Sequence, residues 1–115
     1  MGVAGSDKFE ITVDEGDRRN GSRLNSSAVL AVVGEVDMAT SPVLWDALLR
    51  ALRTGDVTVD VADVALIDAT GVGVLVRATD QARNIGRALT VRAPSPTVRR
   101  VLEAADPSGF LHVED

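Results

Sequence analysis

The chain has 115 residues, 45% of them apolar, with 17 acidic against 12 basic side chains, a net charge of −5 and no cysteine. That is one domain's length, enough to bury roughly two-thirds of its unfolded surface, and it excludes disulfides and thiolate metal sites. Its longest basic runs are pairs such as Arg18-Arg19 and Arg99-Arg100, so nucleic acid is not an expected partner. No apolar stretch reaches the roughly 18 residues of a membrane span, and the first residues lack the apolar core of a signal peptide, so a soluble cytoplasmic protein with no membrane contact is expected.

Residues 1–8 read as a flexible tail. Met1-Gly2-Val3-Ala4-Gly5-Ser6 fits the loose myristoylation pattern, which small residues at a terminus often produce. Phe9-Glu10-Ile11-Thr12-Val13 then alternates as a half-buried strand does. Polar Asp14 to Ser27 follows as a long mobile connection, and its sequons Asn20-Gly21-Ser22 and Asn25-Ser26-Ser27 mark a loop. The run Ala28 to Val33 is a second strand, closed by Gly34-Glu35-Val36-Asp37 and paired antiparallel with the first.

Ser41 reads as the N-cap of a first helix, with Pro42 at the first helical position, where its missing N–H costs nothing. Leu44, Ala47, Leu48, Ala51 and Leu52 give that helix one apolar face, Trp45 lies at its edge as packing, and Gly55 stops it. Val57, Val59 and Val61 alternate with Thr58 and Asp60 as a strand near the sheet centre. After the apolar run Val64-Ala65-Leu66-Ile67 comes Asp68-Ala69-Thr70-Gly71, a strand–helix junction where unpaired N–H groups and the helix dipole favour short polar residues.

Leu75, Ala78, Ala82 and Ile85 form the buried stripe of the second helix, ended by Gly86. Leu89 and Val91 begin another strand, closed by Pro94. Ser95-Pro96 starts a third helix with Val98, Val101, Leu102 and Ala105 on one face, Asp106-Pro107-Ser108-Gly109 breaks it, and Phe110 to Val113 is a short last strand. This alternation is that of a small α/β sandwich with an antiparallel start and parallel crossovers.

Enzyme chemistry finds little footing. Gly71-Val72-Gly73 supplies two glycines of a dinucleotide fingerprint, but Val76 stands where the third is needed, and no lysine lies between Gly71 and Ala82 to make a P-loop. The one histidine, His112, sits in the last strand, and Glu35, Asp37, Asp60, Asp63 and Asp68 lie next to turns or strand ends where solvated acids are common. Neither catalysis nor a metal site is expected.

Four segments recur together in one order: Gly34-Glu35-Val36-Asp37, Val57-Thr58-Val59-Asp60-Val61, Ile67-Asp68-Ala69-Thr70-Gly71-Val72-Gly73-Val74-Leu75, and Ser95-Pro96-Thr97-Val98-Arg99-Arg100-Val101-Leu102. With them the chain from Phe9 to Val113 resembles the STAS domain, in particular bacterial anti-sigma-factor antagonists. The resemblance implies one STAS domain over residues 9–115, a mixed four- to five-stranded sheet with three or more helices, no cofactor, and a monomer or weak homodimer. It implies a partner too: an anti-sigma factor of the ATPase-kinase type, held by Glu35, Asp37, Thr40, Asp68, Ala69, Thr70, Gly71 and Gly73, whose capture frees a sigma factor for transcription.

Members typically carry Asp-Ser-Ser/Thr-Gly at this junction, and the kinase phosphorylates the first serine. Here that position is Ala69, which has no hydroxyl to accept phosphate. Thr70 is either an alternative phosphoacceptor or a cap accepting from a backbone N–H. Gly71 and Gly73 either admit a partner's backbone or let the helix pack tightly on its own sheet, and Asp68 is expected to bond to the junction backbone. A sensory or scaffold STAS module that binds a small ligand or other signalling proteins is the alternative reading.

Overall fold

Five strands lie side by side in chain order: β1 (Phe9–Asp14), β2 (Ser27–Val36), β3 (Asp56–Ile67), β4 (Leu89–Arg92) and β5 (His112–Glu114). This computed structural model describes residues 9–15 and 27–115. The expected tail, the myristoylation pattern and nearly all of the Asp14–Ser27 connection with its sequons lie outside the described residues. β1 runs antiparallel to β2, with Ile11 opposite Val32, and every later pairing is parallel.

Helices α1 (Ser41–Leu52), α2 (Ala69–Asn84) and α3 (Pro96–Ala105) make the three parallel crossovers. Each crossover advances one strand in the same direction, and right-handed connections then place all three helices on one face. There α1 packs beside α2, and α2 beside α3. Strand parity follows: Ile11, Leu30, Val32, Val57, Val59 and Val91 are buried under the helices, while Thr12, Thr58, Asp60, Thr90 and Arg92 alternate with them on the open face. Leu44, Leu48, Leu52, Val72, Leu75 and Ala78 close the core from the helical side.

The two apolar runs at 57–61 and 64–67 are one strand. Between Ala31 and Val33 of β2 the partner in β3 moves from Asp60 to Asp63, and between Gly34 and Glu35 it moves from Val64 to Leu66. Each step leaves one extra residue in β3, a bulge that restarts the alternation. Buried residues therefore fall at Val61, Val64 and Ile67, three apart rather than two. Asp60 pins the first bulge by accepting from the Ala62 N–H at 3.0 Å.

Several local expectations are corrected. β2 continues through Gly34, at φ 107°, as far as Val36 rather than closing at residues 34–37. Ser41 is the first residue of α1, not its cap; Thr40 holds the cap position and makes no side-chain capping bond. The Thr40 hydroxyl is drawn backwards, donating to the Glu35 carbonyl at 2.8 Å and accepting from the Asp37 N–H at 2.9 Å. Helix α1 ends at Leu52, before Gly55, where the Arg87 guanidinium donates to the Leu52 carbonyl at 3.2 Å and satisfies the open end. Ile85 leaves the buried stripe, 56% exposed as the C-cap of α2, because Gly86 at φ 74° already turns the chain away. Ala105 is exposed at the end of α3. Trp45 is partly buried at the core edge, with the Arg77 guanidinium 5.6 Å from its ring centre.

Candidate docking surface at the strand–helix junction

Because β2 and β3 are parallel neighbours, they end together: Glu35 lies opposite Leu66 and Val36 opposite Ile67. Their exits, residues 37–40 into α1 and Asp68 into α2, are thereby set side by side. The Asp68 N–H donates to the Val36 carbonyl at 3.1 Å, which ties the exits together.

Asp68 is the N-cap of α2. Its backbone is extended (φ −110°, ψ −177°), Oδ1 accepts from the Gly71 N–H at 3.0 Å, and its carbonyl accepts from the Val72 N–H at 3.0 Å. The capping reading of Thr70 is therefore corrected. Thr70 is exposed in the first turn beside exposed Ala69, and its hydroxyl makes no hydrogen bond among the described residues.

The two glycines divide between their readings. Gly71 is buried, and a Cβ there would stand 2.7 Å from Cγ1 of Val36 and 2.8 Å from Cγ1 of Ile67, so it serves the packing of α2 on its own sheet. Gly73 is half-exposed and a Cβ would meet nothing within 4 Å.

In the neighbouring turn Asp37 accepts from the Ala39 and Thr40 N–H groups at 2.9 and 3.1 Å, so Asp37 and Thr40 shape the loop while the Glu35 side chain stays exposed. The structure thus brings all eight predicted residues to one end of the sheet. Glu35, Ala69 and Thr70 are exposed, Asp37, Thr40, Asp68 and Gly73 half-buried, and Gly71 buried.

Three apolar side chains at this end escaped the sequence reading: Met38 at 75% exposure, Leu66 at 46% and Val33 at 39%. Leu66 lies inside an apolar run, and the bulge between Val64 and Leu66 turns it outward relative to buried Val64. The three-residue spacing of Val61, Val64 and Ile67 was the signal available.

Reactive groups do not converge here. Among the described residues no group of three or more His, Cys, Asp or Glu side chains is placed to hold a metal ion. Asp60, on the open face, has its carboxyl held below the usual range by the Arg92 hydrogen bond at 2.8 Å and by the Ala62 N–H, against a smaller opposing effect of burial. His112 is exposed, 3.5 Å from Glu114. No described helix is long and apolar enough to cross a membrane.

A family model described as Mlab, STAS domain, matches residues 21–112. The chain belongs to the STAS domain family. No curated protein matches it in sequence. Among solved structures, this STAS domain is similar to an anti-sigma factor antagonist from Mycobacterium paratuberculosis, with 19% identity, a TM-score of 0.76, and 96% of this chain and 89% of that chain covered. It is also similar to unphosphorylated SpoIIAA, an anti-sigma factor antagonist, with 16% identity, a TM-score of 0.70 and coverages of 90% and 86%. A third likeness is to SLC26A9, with 12% identity and a TM-score of 0.66, where 76% of this chain spans only 18% of that one. At such identities the likenesses establish the shared fold, and the SLC26A9 match places that fold within a much longer chain.

Proposed function

We propose that this STAS domain is a non-enzymatic anti-sigma-factor antagonist that docks an ATPase-kinase-type anti-sigma factor on the junction at Asp68–Gly73, flanked by residues 34–40, and so releases a sigma factor. The observation that carries the reading is Ala69, exposed at the start of α2 in a turn already braced from within by Asp68. The face is small and open, and the position of the family's phosphoserine carries no hydroxyl. Similarity in fold to SpoIIAA and to the anti-sigma factor antagonist from Mycobacterium paratuberculosis supports the partner class.

Phosphorylation would add roughly −1.5 to −2 charges and a tetrahedral group in the middle of such a face. Ala69 adds no such charge at that position, so binding is either unregulated or follows the abundance of the partner. Thr70 is the single hydroxyl between Asp68 and Gly73, exposed and without a hydrogen bond among the described residues, and is the acceptor left to a kinase. The test is incubation with the purified ATPase-kinase-type anti-sigma factors of the source cell and ATP, read by native and peptide mass spectrometry. Complexes are expected, with phosphate at residue 69 only after Ala69→Ser; the absence of a complex with every such kinase overturns the reading.

One observation favours the sensory or scaffold alternative: a largely apolar groove of about 300 Å³ lies between β1 and α1, lined by Ile11, Val13, Ala28, Val43, Ala47 and Ala51 together with Glu15, Asp46, Arg50 and Thr54. A ligand seated there would raise the melting temperature, which a thermal-shift series with lipids and nucleotides reads directly.

A further inference from the structure

The two central strands and their exits carry no basic residue in their sequence. No Lys, Arg or His lies between Leu24 and Leu49, or between Thr54 and Val76, the two stretches that form β2, β3 and both exits. The same stretches place Glu35, Asp37, Asp63 and Asp68 at this end. Glu35 and Asp63 are exposed and make no ion pair among the described residues. The nearest cation on the open face, Arg92 of β4, is taken by Asp60 at 2.8 Å, while Arg50 pairs with Asp46 at 3.0 Å and Arg77 lies over Trp45.

Strand parity decides which side these groups face. Val32, Val36, Val64 and Ile67 are buried toward the helices, so Val33 and Glu35 of β2, with Asp63 and Leu66 of β3, stand on the open face. Leu66 pairs with Glu35 and Val33 with Asp63, which alternates apolar and acidic side chains in a two-by-two patch. Leu66 is two residues from Asp68, so the patch is continuous with the junction.

We infer that the docking surface wraps from the junction onto the open face of the sheet, where Leu66 and Val33 receive an apolar side chain and Glu35 and Asp63 receive basic ones. This rests on the proposed function, and it specifies the partner's chemistry: a segment of the anti-sigma factor in which an apolar residue is flanked by lysine or arginine. Charge complementarity selects it, because uncompensated carboxylates bordering apolar surface repel acidic partners and steer cationic ones.

The experiment is isothermal titration of this chain with the purified ATPase-kinase-type anti-sigma factors of its source cell, at low and high salt. The variants are Glu35→Lys with Asp63→Lys, Leu66→Ser, and Glu103→Lys on exposed α3 as a control, each checked for folding by circular dichroism. The charge reversal is expected to weaken binding by about tenfold or more and to flatten its salt dependence, and Leu66→Ser to weaken it about fivefold, with the control within about twofold. Wild-type binding that both open-face variants match within about twofold overturns this inference and leaves the proposed function standing. Equal weakening by Glu103→Lys also overturns it, since net charge alone would then account for the effect. If the wild type binds none of these factors, the proposed function fails and this inference with it.

Discussion

Gly71 and Val36 are packed so closely that a Cβ on the glycine would lie 2.7 Å from Cγ1 of the valine and 3.1 Å from its carbonyl oxygen. The same carbonyl accepts the Asp68 N–H, so the end of β2 and the start of α2 meet without slack. Gly71→Ala must push the helix off the sheet and is expected to cost about 1–3 kcal/mol. Gly73→Ala adds a methyl in open space within a helix and is expected to stabilise by about 0.5–1 kcal/mol. Urea unfolding of the two variants checks the contrast; equal effects would contradict the division of roles.

Asp68 closes the same turn from the other side. Asp68→Ala removes the bond to the Gly71 N–H and is expected to cost about 1 kcal/mol, whereas Asp68→Asn keeps an accepting oxygen and most of that stability. Thermal unfolding of both separates a capping role from one that needs the charge.

The Asp60–Arg92 pair gives the stability of the fold a pH signature. The folded carboxyl titrates below its ordinary value of 3.8, so its contribution is fully present above that value and is lost as the pH falls through the lower folded one. Arg92 is 40% exposed, so the contribution is limited by solvent to about 0.5–1 kcal/mol. Arg92→Met is expected to lose this at neutral pH, with the gap from wild type closing under acid conditions. Denaturation curves across that range test it, and a gap that widens with acid would refute the assignment.

Ser41 carries a hydroxyl that is buried and without a hydrogen-bond partner among the described residues. Ser41→Ala removes an uncompensated polar group at nearly constant volume and is expected to raise stability by about 1 kcal/mol. Had Ser41 been the cap of α1, the same change would cost a similar amount. The sign of one unfolding measurement therefore separates the two arrangements.

Legibility varied with how local the cause was. Ser95 as the cap of α3 was readable because its hydroxyl reaches Val98, three residues on. The misassigned cap at Ser41 depended on Thr40 turning back to Glu35, a contact between a loop and the preceding strand that no cap pattern contains. Likewise Ile85 fitted a helical stripe by spacing, and its exposure was decided by where the Gly86 turn leaves the core.

The sequence by itself determined the element order, the apolar faces, the missing hydroxyl at residue 69 and the family, because periodicity, capping residues and motifs act over a few neighbours. Only the tertiary structure decided that Gly71 serves packing while Gly73 stays open, that Asp68 and not Thr70 caps α2, and that Leu66 and Glu35 are paired on the outer face. Those outcomes depend on the register between β2 and β3, where each of two bulges shifts the side chains that follow it by one further position. Register is set by the packing of strands remote in sequence, and a one-residue slip exchanges the buried and exposed faces.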